Sequence, residues 1–111
     1  MRIIGEFDLR GNSFVGQIHL IGHSLELVFW PRAKKGEFSP DFDIYQNNYA
    51  VGSAWRRKTL DSGKDYLSVK LDDPTLVAPI YARLSDKDER GKYALVWQRP
   101  KAKPFATPAE Y

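Results

Sequence analysis

Hydrophobic and polar residues alternate along most of the chain, in short runs that end at turn-forming residues. The clearest case is a pair of runs, 51–58 and 65–71, separated by Asp61-Ser62-Gly63-Lys64. Glycine and aspartate between two alternating runs favour a β-hairpin. Side chains alternate between the two faces of a strand, so the second run has an apolar and a polar face. The apolar face, which we expect in the core, holds Leu67, Val69 and Leu71, and the polar face holds Tyr66, Ser68 and Lys70.

The first run of this hairpin is harder to orient, because its bulky apolar residues are few. We take Val51 and Trp55 as the pair that points to the core. Trp97, which aligns with Tyr93 and Leu95 in the last run, is also expected in the core. The outer face of the first run would then hold Gly52, Ala54, Arg56 and Lys58.

The remaining alternating runs are 1–9, 14–20, 25–30, 41–44, 80–84 and 93–97. In the first of them the alternation places Ile3, Phe7 and Leu9 on the inner side. No stretch shows a sustained helical period. Many short strands separated by turns indicate an antiparallel sheet that closes or folds onto itself to bury its apolar faces. The sequence therefore predicts an all-β fold, a small antiparallel barrel or sandwich of about seven or eight short strands in a largely meander order.

The length of 111 residues fits one domain. We assign residues 1–99 to a single β domain. The segment 100–111 contains three prolines and small residues, and it is predicted to be a flexible tail.

The charge of the chain is local rather than global. Seventeen basic and 14 acidic residues leave a net charge of +3, which excludes a uniformly basic protein. The segment 51–71 is more basic, with Arg56, Arg57, Lys58, Lys64 and Lys70 against Asp61 and Asp65. The absence of cysteine excludes disulfides, thiolate zinc sites and a cysteine nucleophile. No run has membrane-spanning length and the N-terminus does not resemble a secretory signal, so we expect a cytoplasmic protein.

Several motifs are shared with a known family. They are I-G-x-F (4–7), F-x-G-x-I (14–18), P-D-F (40–42), V-G-S-A-W (51–55), D-Y-L-S-V-K-L-D-D-P (65–74), I-Y-A (80–82) and L-x-W-x-R (95–99). With these motifs the chain resembles the bacterial family called domain of unknown function 736, over residues 3–99. The resemblance implies an association with plasmids and integrative conjugative elements. It implies no particular activity.

The predicted strands five to seven are consecutive and could pair as a meander. Their outer face would then carry Arg56, Lys58, Tyr66, Lys70, Tyr81 and Arg83. Cations that follow phosphates and rings that stack on bases are the components of a single-stranded nucleic-acid site. The alternative is a solvated surface on which such residues are ordinary cross-strand neighbours. Because the resemblance implies a mobile element, we favour a non-enzymatic accessory protein that binds single-stranded DNA or RNA.

A second hypothesis is a protein-interaction module or inhibitor that acts on a host defence or conjugation protein. Trp30 lies on the face opposite Leu25, Leu27 and Phe29, so it is expected to be exposed and available to a protein partner. An exposed sheet edge or the prolines of the tail could serve the same purpose, and an exposed edge would also permit a homodimer.

Other chemistry finds little support in the sequence. Asp41, Asp43, Asp72 and Asp73 could supply oxygen ligands, but Asp-Asp-Pro at a strand end is typical of a turn. His19 and His23 straddle a predicted turn, and neither Ser24 nor Ser68 has a base recognisable from spacing. Glycine clusters that could hold a phosphate are absent. We therefore expect no metal site, no cofactor and no enzymatic activity.

Overall fold

The computed structural model describes residues 2–97, so the predicted tail, 100–111, lies outside the described residues. The described chain forms eight β-strands and contains no helix that is long and apolar enough to span a membrane. The strands are β1 (Arg2–Arg10), β2 (Ser13–Leu20), β3 (His23–Pro31), β4 (Phe42–Gln46), β5 (Tyr49–Lys58), β6 (Asp65–Leu71), β7 (Ile80–Lys87) and β8 (Tyr93–Trp97).

Each strand pairs antiparallel with the next, and β8 pairs with β1 to close a barrel in meander order. The predicted all-β meander is confirmed, and of the two predicted architectures the barrel is the correct one. Tight turns permit this order: Gly11 and Gly22 adopt positive φ angles of 62° and 75° between the first three strands. Closure pairs both sides of every described strand. An exposed sheet edge, one of the alternatives considered for partner binding, is therefore absent from the described barrel.

All eight strands contribute buried apolar side chains to the barrel interior. These are Ile4, Phe7, Ile18, Leu27, Phe29, Phe42, Ile44, Ala54, Leu67, Val69, Leu71, Leu84 and Leu95. Aromatic rings pack edge to face within the interior, with centroids 5.1 Å apart for Phe7 and Phe29. Such pairs add about 0.5–1.5 kcal/mol beyond the area they bury. The predicted inner face of β6 is confirmed, and Trp97 packs against the core as expected.

Around Trp55, strand β5 is oriented opposite to the prediction, although Val51 packs against the core as expected. Ala54 is fully buried and lies between Phe42 of β4 and Val69 of β6, whereas Trp55 is directed outward, opposite Ser68. The inner positions of β5 hold small residues because the neighbouring backbone is close: a Cβ on Gly52 would lie 2.3 Å from the Lys70 carbonyl oxygen. Large side chains on the flanking strands β4 and β6 therefore fill this part of the interior, and β5 contributes little volume to it.

Candidate nucleic-acid interface

The outward positions of β5, β6 and β7 form one continuous surface. Cross-strand pairing brings Arg57 opposite Tyr66, Trp55 opposite Ser68, and Ser68 opposite Arg83. One pair further along, Lys70 lies opposite Tyr81. Directly opposed residues of an antiparallel pair share a face. We call this surface the basic-aromatic face, and its members are Trp55, Arg57, Tyr66, Lys70, Tyr81 and Arg83.

Four of the six residues predicted for a nucleic-acid site lie on this face: Tyr66, Lys70, Tyr81 and Arg83. The predicted position of Arg56 and Lys58 on the same face is wrong. Arg56 pairs with the buried Leu67, and its guanidinium carbon lies 5.0 Å from the ring centroid of the buried Phe42. Lys58 lies opposite Asp65, and its Nζ donates to the Asp65 carboxylate at 2.7 Å. Both residues belong to the barrel end rather than to the outer face.

Arg57 and Trp55 occupy the outward positions that we had assigned to Arg56 and Lys58. The Arg57 Nη1 donates to the backbone carbonyl of Arg56 at 3.0 Å. The Trp55 Nε1 donates to the Phe38 carbonyl, also at 3.0 Å, and this bond ties the 32–41 loop to the barrel. The alternation of β5 would have identified both residues if Ala54, rather than Trp55, had been taken as the inward position.

Within residues 2–97 the cations of the face lack acidic partners. Arg57, Lys70 and Arg83 form no ion pair with any residue in the range 2–97. Arg83 instead packs on an aromatic ring, with its Cζ 4.2 Å from the Tyr66 ring centroid. Uncompensated cations on one face produce a positive potential that attracts phosphate groups.

The rings of the face differ in their accessibility. Tyr81 is 53% exposed, whereas Tyr66 is partly buried beneath Arg83. An unpaired base can stack directly on Tyr81. At Tyr66 it would stack on the guanidinium plane of Arg83, which itself packs well on π-systems.

The cations of the β7–β8 turn are engaged elsewhere. Arg90 bonds to Glu6 and Asp88, and the Lys92 Nζ donates to the Asp8 carboxylate at 2.6 Å. The bond from Lys92 lowers the pKa of Asp8 below its ordinary value. The pKa of Asp88 is also lowered, mainly because its carboxylate accepts a hydrogen bond from the Lys92 backbone. These pairs occupy the acidic side chains Glu6 and Asp8 of β1, whereas Arg57, Lys70 and Arg83 have no such partner within residues 2–97.

Trp30 lies on a different part of the barrel wall. It is 55% exposed, as predicted, and it faces outward opposite Asp43 of β4. With Tyr45 and Asn47 it borders a shallow depression. An aromatic side chain at such a position is accessible to a protein partner.

Of the acidic residues considered as metal ligands, Asp41, Asp43 and Asp73 have structural partners. Asp73 accepts hydrogen bonds from both the backbone N–H and the hydroxyl of Thr75, which is turn chemistry. Asp41 accepts from the Arg56 N–H at 2.9 Å. Within residues 2–97 no three His, Asp or Glu side chains gather as metal ligands would.

His19 and Ser24 form a polar pair that was not predicted from the sequence. The His19 Nδ1 and the Ser24 Oγ are 3.0 Å apart, because the two residues are cross-strand neighbours in β2 and β3. Spacing along the chain cannot identify such a pair; it requires the register of the hairpin. In the described chain no carboxylate bonds to the His19 ring, so the third member of a triad-like arrangement is missing there.

Comparisons with known proteins agree with the resemblance in the sequence. A family model with the description "Protein of unknown function (DUF736)" matches residues 3–100. The chain matches no curated protein and no solved structure. The comparisons therefore identify the family of this chain but indicate no activity.

Proposed function

We propose that this chain, which belongs to the DUF736 family of unknown function, binds single-stranded nucleic acid on its basic-aromatic face. The observation that carries the proposal is the interleaving of three uncompensated cations with three aromatic side chains on neighbouring strands. Cations bind the phosphates, and rings stack on bases at about 1–3 kcal/mol per base. Among the cations that we predicted from the sequence to contact phosphates, Arg57 therefore replaces Arg56 and Lys58.

The pairing of Lys70 with Tyr81 supports contact with a nucleotide as a unit. Directly opposite Cβ atoms in an antiparallel sheet are about 4.5–5.5 Å apart. A base stacked on Tyr81 therefore keeps its own phosphate within reach of the Lys70 ammonium group. Arg57 and Arg83 lie on either side of Tyr66. These three residues can contact a second nucleotide in the same way.

Single strands fit this surface better than duplex. A major groove accepts a helix or a two-stranded ribbon, whereas this face is the broad outer wall of a barrel. The aromatic rings also need unstacked bases, which a duplex does not offer. Sequence preference should be weak, because every base has a π-face.

Fluorescence anisotropy of a labelled single-stranded oligonucleotide, titrated with the full chain at two salt concentrations, tests the proposal. Duplex of the same sequence is the control. We expect single-strand binding that weakens steeply as salt rises, because bound cations release counterions. Equal affinity for duplex, or no single-strand binding at low salt, would contradict it.

The cellular setting is a separate part of the proposal. The resemblance to a family associated with plasmids and conjugative elements supports a non-enzymatic accessory role, exerted in the cytoplasm, where such single strands arise. Fractionation of a producing cell would test the location. Recovery of the protein with the membrane or in the periplasm would contradict it.

A second candidate function is binding of a host defence or conjugation protein through Trp30. Its 55% exposure on β3, two strands away from the nearest strand of the basic-aromatic face, favours this candidate. Trp30→Ala should abolish capture of such a partner and leave oligonucleotide affinity unchanged. If Trp30→Ala weakened oligonucleotide binding instead, Trp30 would belong to the nucleic-acid surface.

A further inference from the structure

One end of the barrel contains an open cavity of about 600 Å³. It lies where β1, β5 and β7 end and where β2, β6 and β8 begin. The volume falls within the roughly 300–1,000 Å³ typical of sites for small molecules. It is separate from the stacking surface of the outer wall, although Arg57 and Tyr66 border both.

The floor of the cavity is apolar. Its residues are Leu9, Phe14, Leu67, Leu84 and Tyr93. Phe14 packs edge to face on Tyr93, with centroids 5.0 Å apart, which stiffens the floor. Leu9 is 47% exposed although it faces Phe14 across the first hairpin, so apolar surface is open to solvent here. A ligand with an apolar body would remove that surface from water.

The rim of the cavity provides a positioned cation. Lys58 and Asp65 pair with each other, whereas Arg56 forms no ion pair within the described residues. The Arg56 guanidinium lies over the Phe42 ring at 5.0 Å, and the Arg56 backbone N–H donates to Asp41. The backbone bond and the ring contact together hold the guanidinium at the cavity mouth. A planar cation of this kind binds a carboxylate in a bidentate manner.

We infer that this cavity binds a small molecule with a flat apolar body and one carboxylate, the carboxylate lying against Arg56 and the body against Leu9, Leu67 and Leu84. The inference does not depend on nucleic-acid binding by the outer wall.

The test uses the full, isotope-labelled chain, titrated with 2-naphthoate and followed by amide chemical shifts. The neutral 2-naphthylmethanol is the matched ligand control. We expect saturable shifts at Leu9, Leu67 and Ser85, which line the cavity. Arg56→Gln should weaken naphthoate binding about tenfold and affect the neutral compound little, because only the carboxylate loses a charged hydrogen-bond partner. Arg2→Gln removes the same charge from the opposite end of the barrel, where β1 begins, and should leave both affinities unchanged.

A second variant keeps the test decisive if Arg56→Gln perturbs the fold. Leu9→Gln changes an exposed position of the floor, and it should weaken both ligands. Shifts confined to other regions, failure to saturate, or equal losses in Arg56→Gln and Arg2→Gln would overturn the inference. Tighter binding of adenosine monophosphate than of naphthoate at these amides would also overturn it, in favour of a nucleotide site.

Discussion

Arg83 lies across the ring of Tyr66, with its Cζ 4.2 Å from the ring centroid. The two residues are diagonal neighbours on β7 and β6, since Arg83 pairs directly with Ser68. Long side chains reach across such diagonals. The contact holds the guanidinium over the Tyr66 ring, where it is available to a base or a phosphate.

Tyr66→Leu should weaken binding of a single-stranded oligonucleotide, because the leucine keeps the apolar contact but removes the ring that supports Arg83. The expected loss is about 1–3 kcal/mol, the contribution of one stacked base. Tyr66→Phe keeps the ring and should bind like the wild type. Anisotropy titrations at one salt concentration compare the three proteins. Equal affinity of the Leu and Phe variants would show that stacking at this position does not contribute.

Each uncompensated cation of the face should contribute to the salt dependence of binding. Replacing Lys70 by Gln is expected to reduce the slope of log Kobs against log salt by about 0.7, the change for one single-strand phosphate contact. Lys92→Gln is the matched control, since Lys92 is paired with Asp8. A slope unchanged in Lys70→Gln, or reduced equally in Lys92→Gln, would contradict the assignment of phosphate contacts.

Gly16 should not tolerate a side chain. A Cβ there would lie 2.1 Å from the Glu6 carbonyl oxygen and 2.8 Å from the Phe7 Cα, and backbone atoms cannot move away cheaply. Gly16→Ala is therefore expected to lower the free energy of unfolding by about 1–3 kcal/mol or more, as overpacking does. Gly36→Ala is the control, because its Cβ would meet only the Ser39 Oγ at 3.7 Å. Urea unfolding followed by tryptophan fluorescence measures both; equal stability of the two variants would contradict close packing at Gly16.

The turn between β7 and β8 should lose stability in acid. The pKa of Asp88 is lowered in the folded protein, mainly by the hydrogen bond from the Lys92 backbone and further by Arg90. A lowered folded-state pKa contributes stability above the ordinary value of 3.8, and this stability is lost as pH falls through the folded-state pKa. The stability advantage of the wild type over Asp88→Asn should therefore shrink between about pH 6 and about pH 2. Urea midpoints across this range measure it; a constant difference would contradict the lowered pKa.

The barrel could be predicted from the sequence wherever one face of a strand was clearly apolar. Strand β6, with Leu67, Val69 and Leu71, is oriented as expected, and its neighbours follow in chain order. Closure of the barrel could not be predicted from the sequence, because it depends on the coiling of all eight strands. The coil comes partly from inward glycines such as Gly16 and Gly52, where the backbones of adjacent strands approach each other.

The candidate site could be predicted only in part, because hydrophobicity does not identify the inward face of a strand that has few large apolar side chains. In β5 we expected the large Trp55 to point inward, but Ala54 is the buried residue. A shift of one residue moves every side chain to the other face, so Arg56 and Arg57 exchanged roles. In β1 a bulge between Ile3 and Gly5 breaks the alternation: Ile4 is buried, while Ile3 is 62% exposed. Neither the orientation of β5 nor the bulge in β1 can be recognised from the alternation of hydrophobic and polar residues alone.

The most direct test of the central claim compares two double variants of equal charge in one anisotropy titration. Arg57→Gln with Arg83→Gln removes two cations from the basic-aromatic face. Arg56→Gln with Lys58→Gln removes two cations from the barrel end. We predict that the first pair weakens single-strand binding at least about tenfold, whereas the second changes it less than about threefold. Equal losses in the two pairs, or a larger loss in the second, would contradict binding on the outer wall of β5 to β7.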